Sequence, residues 1–440
     1  MDVKAPVLGP ALPALQSQWA VTIQSDPVLL GDIAASVRGP FHVIDPDRFA
    51  ANLTAFRAAL RTAGVDGRIY FGKKANKAGA WLDECARHDG GVDVASAPEL
   101  VHALAHGVRG RDIVVTGPAK STDLLWLAAR HDCLITIDDL DELERLVAVG
   151  VRARILLRVL PPTGPHSRFG LDPRQLDQAI DRCVQVRDAL TMDGFSFHLD
   201  GYLPHPRAEL ADRLIDHCLA ARERGLAATA IDIGGGFACD YVDSADWQRF
   251  QDDYRDDWFH AGKQFGRFYP YHQAPAGAAM LTAILDEVGP RFAATSTRLL
   301  CEPGRALLDQ AGFTVFPVQG CKPRGDHAVI TVGGLSMSVS EQWKGSEFLP
   351  DPLLWPVEPR SGDRSVTAFV AGASCLEYDV LTWRKIGFAR TPRYGDLIIY
   401  PNTAGYQMDK NESRFHQLPL PPKICIHTRD GRHTWSLDAD

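Results

Sequence analysis

The chain has 440 residues, with 47 basic and 55 acidic side chains, a formal net charge of −8, and 45% hydrophobic against 23% charged residues. That balance excludes a disordered chain, and the length calls for one large domain with a smaller companion, or two comparable domains. A mildly acidic chain without a polybasic run excludes nucleic acid as the main partner and carries no footprint for anionic lipid.

At the N-terminus, Ala5–Ser25 is uncharged, which invites a signal-peptide or membrane reading. Pro6, Pro10 and Pro13 break any helical apolar run there, and Gln16 to Gln18 interrupt the rest. Residues 1–40 therefore read as an extended arm, expected to pack on a β domain, and no other stretch approaches the roughly 20 apolar residues of a spanning helix. Nine cysteines are scattered from Cys85 to Cys425 without a CxxC pair or zinc spacing. This usage suits a reducing compartment, so a cytoplasmic protein is expected.

From Arg68 onward one rhythm repeats: a short β-branched or apolar run, then a helical pattern. The runs are Ile69–Gly72, Val92–Ala95, Ile113–Thr116, Leu134–Ile137, Ile155–Val159, Phe195–Leu199, Ala230–Ile233 and Leu299–Cys301. Strands alternating with helices imply a parallel sheet. Eight of them over about 240 residues predict an α/β fold with a (β/α)8 TIM barrel at 41–308, a doubly wound open sheet being the alternative. The segment 241–285, rich in aromatics, interrupts the rhythm and reads as an insertion in the barrel domain. Beyond Leu308 short runs alternate with Gly and Pro (Phe313–Val318, Ala328–Val332, Val366–Val370, Asp396–Tyr400, Lys423–His427), which predicts a β-rich C-terminal domain at 309–440.

Polar residues and glycines follow the runs. Lys74 comes after the first, Asp93 and Ser96 lie in and after the second, and Arg158 is in the fifth. His198 and Asp200 close the sixth, Gly234-Gly235-Gly236 the seventh, and Glu302, Gly304 and Arg305 the eighth. In a barrel all of these line one mouth, the face on which active sites are built. The three glycines offer a row of backbone N–H groups fit for phosphate, although the triplet alone equally suits a tight turn without a ligand. Arg305 strengthens the phosphate reading because a guanidinium can bind two phosphate oxygens at once. Lys74, in "FGKKAN", faces this nest and an acidic residue, which suggests a Schiff base to pyridoxal 5'-phosphate, with Glu302 as partner of the ring nitrogen. His102 and His106 sit four apart on a helix, but no glutamate follows His102, and a solvated helix face explains them better than zinc. No metal site is expected.

"FGKKAN", "VDVASAPEL", "SRFG", "FHLDG", "DIGGGF", "CEPGRAL", "ASCLEYDVL" and "GDLIIY" through Tyr406 stand in order along the chain from about Phe41 to Ile424. In this the chain resembles the alanine-racemase-fold (fold type III) pyridoxal-phosphate decarboxylases of the diaminopimelate and ornithine type. The resemblance implies that Lys74 holds the cofactor, with Lys73 a bystander. It implies that His198 stacks on the ring and Asp93 lies near the lysine. Gly235, Gly236, Gly304, Arg305 and Tyr406 surround the phosphate, and Glu302 pairs with the ring nitrogen. Cys375 reaches in from the partner subunit of a homodimer to help protonate the carbanion, and His198 and Lys74 complete the catalytic set.

The departures bear on the substrate. Asp200-Gly201 stands where the family has Gly-Ser after the stacking histidine, so a hydroxyl that contacts phosphate is missing. Leu376 follows Cys375 where an acidic residue is usual, with Glu377 one step later. Ser336–Trp343 has no arginine where diaminopimelate decarboxylases grip the far carboxylate of their substrate. The expected substrate is therefore an amino acid or amino-acid conjugate of a specialised biosynthetic pathway, with Glu377 and Trp343 as candidate substrate contacts. An amino-acid racemase or epimerase is the nearest alternative, but racemases of this fold carry arginine at the ring nitrogen where this chain has Glu302. A silent homologue that binds a partner protein is another, and retention of Lys74, His198, Glu302, Arg305 and Cys375 speaks against it.

Overall fold

The computed structural model describes residues 8–339, 341, 345–357 and 364–438. Contacts divide the chain into two units, one built from Phe49–Ala238 and Pro275–Leu307, the other from the described residues of Met1–Arg48, Cys239–Ala274 and Leu308–Ala439.

The first unit is a closed barrel of eight parallel strands, which decides between the barrel and the open sheet. They are Gly67–Gly72, Gly91–Val94, Ile113–Val115, Leu134–Ile137, Ala153–Arg158, Leu190–Ser196, Ala230–Asp232 and Arg298–Cys301. Closure comes from the pairing of Gly67–Ile69 with Leu299–Cys301. The interior is packed and not hollow: Tyr70, Val114, Leu134, Leu156, Ala230 and Leu300 form a buried cluster. At the opposite end from the polar loops, Arg154 bonds Asp193 at 2.7 Å and Arg68 pairs with Asp112. The sixth strand is offset from the sequence expectation and ends at Ser196, so His198 and Asp200 lie in the loop beyond it. Gly194, inside that strand, has φ +151 and sits at a register shift against the fifth strand, where a Cβ would drive into the Ala230 carbonyl.

The second unit holds a nine-stranded sheet containing all five runs expected of it. Three further strands, Leu353–Trp355, Val380–Phe388 and Arg432–Leu437, join them. The ninth is Phe41–Ile44, which pairs antiparallel with Gly312–Val315 and parallel with Lys423–Cys425, so this stretch belongs to the sheet and not to the barrel. The N-terminal arm is not extended. It carries the helices Gln18–Ser25 and Pro27–Val37, the second started by Asp26, whose carboxylate accepts from Val28 N and Leu29 N, with Pro27 at the first helical position. The prolines that argued against a helix all precede it. Ala20 and Ile23 on the first helix, three apart, and Leu29, Leu30 and Ile33 on the second, at spacings of one, three and four, pack on Phe41, Phe313 and Ile424 of the sheet.

The segment read as an insertion is divided. Cys239–Ala274 clusters with the sheet unit, whereas Gly277–Ala294 is a long barrel helix. Within the sheet unit the aromatics of 241–271 pack on one another, Tyr241 lying 5.6 Å from Tyr271 and Phe250 5.7 Å from Trp258. His260 stacks on Phe369 at 3.9 Å. No described helix is long and apolar enough to cross a membrane.

Candidate active site

The polar residues expected at the barrel mouth meet there. Gly67–Gly72 runs directly into a 3-10 turn, Lys73–Ala75, which turns Lys73 inward and leaves the Lys74 side chain half exposed to the cavity. The Lys74 ammonium lies 3.2 Å from Asp93 Oδ2, and Thr116 Oγ1 donates to the other oxygen of that buried carboxylate. Asp93 is thereby fixed in orientation, and it fixes the lysine in turn. A cavity of about 290 Å3 opens above, lined by Lys74, Thr116, Arg158, Ser196, His198 and Glu302. Arg158 is held 3.3 Å from Asp138 and lies over the Phe169 ring at 4.6 Å.

His198 keeps more than a third of its surface open at the mouth. Desolvation by the surrounding protein, then the cations Lys74, Arg158 and Arg207, push its imidazole down to about 3, which leaves the ring neutral at pH 7. The hydrogen bonding agrees: Gly235 N–H donates to His198 Nδ1 at 3.3 Å, so that nitrogen carries no proton. The glycines are required by space. Gly234 and Gly236 have φ of +68 and +77, and a Cβ on Gly235 would come within 2.8 Å of the Glu302 carbonyl oxygen. Gly304 is buried, and Arg305, 5% exposed, opens the 3-10 turn Arg305–Leu308.

The floor carries three buried carboxyls: Asp93, Asp232 and Glu302. Burial first, then Asp232 and Asp93, raises the Glu302 carboxyl well above its ordinary value. Asp232 is raised from 3.8 to about 6, again chiefly by burial; one of its oxygens accepts from Gly234 N–H at 2.9 Å, and its carboxyl shares a side-chain hydrogen bond with that of Glu302. Asp232 is absent from the sequence-based site, although it opens "DIGGGF" two residues before the glycines. Buried hydroxyls of Thr136 and Ser196 lack partners. Three carboxyls close to one lysine leave an excess of negative charge. A protonated heterocyclic nitrogen would neutralise it, and the glycine turn next to it would take a phosphate. The residues present therefore fit pyridoxal phosphate.

The remaining expected residues lie in the sheet unit. Tyr406 has a left-handed backbone, φ +74. Cys375 and Glu377 are exposed, with the Cys375 N–H donating to His416 Nε2 at 3.4 Å. Trp343 lies outside the described residues. All nine cysteines are free. His106, whose spacing with His102 was read as a helix face and not as a zinc pair, contacts Asp83 at 2.8 Å.

Residues 47–309 match the family model for the pyridoxal-binding domain of pyridoxal-dependent decarboxylases, more than half of the chain. The chain belongs to that family. It is a pyridoxal-phosphate-dependent amino-acid decarboxylase. Among curated relatives it is 36% identical to the uncharacterized protein y4yA of Sinorhizobium fredii, covering 94% of this chain and 93% of that one. It is 26% identical to a diaminopimelate decarboxylase of Actinosynnema pretiosum, over 91% and 86% of the two chains. Among solved structures, the diaminopimelate decarboxylase of M. jannaschi superposes with a TM-score of 0.73 at 18% identity, covering 93% and 92%. The lysine/ornithine decarboxylase of Vibrio vulnificus, complexed with putrescine, gives 0.71 at 18%, covering 93% and 99%. At that identity the last two speak for the fold.

Proposed function

We propose that this decarboxylase removes the α-carboxylate of an amino-acid derivative or conjugate larger than the simple dibasic amino acids, in a specialised biosynthetic pathway. The observation that carries the decarboxylase half of this reading is the trio of buried carboxyls beside Lys74, with Glu302 at the end of the last barrel strand.

When bound, pyridoxal phosphate supplies an aldehyde for the substrate's amino group and a ring that takes up the electrons left behind by CO2. Lys74 would be the amine that holds the aldehyde, and Asp93, 3.2 Å from its ammonium, keeps it aimed into the cavity. Glu302, supported by Asp232, would face the ring nitrogen and hold its proton there. His198 would pack on the ring as a neutral imidazole, adding no positive charge of its own. Gly235, Gly236, Gly304, Arg305 and Tyr406 would hold the phosphate. Proton delivery to Cα falls to Lys74 or to Cys375 of a partner subunit in a homodimer with shared sites, and the exposure of Cys375 supports a role at such an interface.

The substrate half rests on two features. Ser336–Trp343 lacks an arginine for a distal carboxylate. A second cavity of about 590 Å3, lined by Thr163–Ser167 and Asp200, shares Arg158, Phe169 and His198 with the first and gives room for a bulky side chain. Glu377 is a candidate contact for that side chain. The nine free cysteines support a reducing, cytoplasmic setting.

A panel of amino acids and their conjugates, with CO2 release and Cα deuterium exchange followed together, tests the proposal. CO2 from a conjugate, with lysine, ornithine, arginine and diaminopimelate turned over far more slowly, is the expected result. Deuterium exchange without CO2 would replace decarboxylation by epimerisation.

A further inference from the structure

One buried charge beside the glycine turn has no part in the chemistry above. Arg207 stands in the first turn of the helix Pro204–Glu223 and is 1% exposed. Its guanidinium donates only to backbone carbonyls: Nη1 to Leu203 O at 3.0 Å, and Nη2 to Gly201 O at 2.7 Å, Leu199 O at 3.1 Å and Gly235 O at 3.4 Å. Its Nε–H meets no acceptor, and among the described residues no carboxylate pairs with it. Desolvation lowers its pKa to about 10, with Tyr202 and Asp200 acting in the other direction, so the charge persists at pH 7. A buried cation satisfied by carbonyls alone is an unfavourable arrangement that an anion would complete.

The guanidinium also lies against the glycine turn. A Cβ added to Gly236 would run into Arg207 Nη2 and come within 3.2 Å of Gly201 O. Arg207 is thus packed against the triple-glycine turn at the position where this chain has lost the family's serine hydroxyl. Asp200, the other half of that substitution, is exposed and forms no ion pair with Arg207.

We propose that Arg207 is a phosphate-anchoring residue of this enzyme, a buried guanidinium beside Gly236 that takes over from the missing hydroxyl. The proposal rests on the pyridoxal-phosphate reading of the site and adds a second arginine, besides Arg305, to the phosphate side. Fixing the Leu199–Leu203 loop through its carbonyls is the part of its role that needs no ligand.

Cofactor-free full-length enzyme is titrated with pyridoxal 5'-phosphate and, separately, with pyridoxal, which lacks the phosphate; absorbance reports each dissociation constant. Loss of one charge-assisted contact predicts that Arg207→Gln weakens pyridoxal phosphate by about 10- to 100-fold while pyridoxal changes less than about threefold. Arg207→Lys, which keeps the charge and disturbs the fold less, is expected to lie between wild type and Arg207→Gln in the ratio of the two constants, and it decides the matter alone if Arg207→Gln does not fold. Equal losses for both aldehydes, or an unchanged ratio in Arg207→Lys, would make Arg207 a loop-holding residue and overturn the proposal. A wild-type enzyme that binds neither aldehyde would instead overturn the cofactor reading, and this inference with it.

Discussion

Asp232→Asn isolates the electrostatics of the barrel floor. The substitution keeps an oxygen for the Gly234 N–H, at 2.9 Å in the wild type, and removes the buried negative charge. In the folded chain the carboxyl titrates near 6, against an ordinary 3.8. The folded state therefore keeps a proton that the unfolded state has lost across this window, and stability falls as pH rises through it. The contribution is present in full below pH 3.8 and gone above about 6; at 1.36 kcal/mol per pKa unit the span is about 3 kcal/mol. Urea denaturation of cofactor-free protein at intervals from pH 4 to 8 reads it directly. Relative to Asp232→Asn, wild type is expected to lose stability as pH rises through this window, which leaves the variant the more stable of the two at pH 7. Removing the Asp232 charge also withdraws one cause of the raised Glu302 carboxyl, so what remains of the pH dependence shifts downward. Identical pH slopes for the two proteins would refute the account of a crowded, proton-sharing floor.

Lys74→Ala should abolish the absorbance band of bound cofactor that wild type displays, and a wild type that stays colourless with added pyridoxal phosphate contradicts the role of this lysine. Gly235→Ala should keep the fold but weaken cofactor binding by about 10-fold or more, because its methyl group meets the Glu302 carbonyl at 2.8 Å and the turn must open; an absorbance titration with wild-type affinity would show that the turn does not hold the phosphate. Mixed Lys74→Ala and Cys375→Ala protomers should recover activity, approaching about a quarter of wild type if sites are shared and subunits exchange at random. No recovery, with exchange shown by native mass spectrometry, removes Cys375 from the shared site.

Much of the barrel was legible because its signals are local. Each strand is a short β-branched or apolar run, and each residue that matters lies at the end of its strand or in the loop just beyond, so Lys74, Asp93, His198, Gly235 and Glu302 could be placed at one mouth before any coordinates. The arm was misread for the complementary reason: three prolines near the start dominate a composition argument, while the helix signal of Asp26-Pro27 with Leu29, Leu30 and Ile33 comes after them. Phe41–Ile44 was counted with the barrel domain because nothing local marks its partners: its parallel pairing with Lys423–Cys425 joins residues nearly 400 positions apart.

The succession of the barrel strands, the residues gathered at their ends and the family were written in the linear sequence, because an amine, a glycine turn and a carboxylate at particular strand ends are local signals. Only the tertiary structure decided that Asp232 joins Asp93 and Glu302 in one buried negative floor, and that Arg207 returns from a helix to lie against Gly236. Burial and charge crowding are properties of three-dimensional neighbours, and no spacing along the chain records which of its many aspartates and arginines will be taken out of water together.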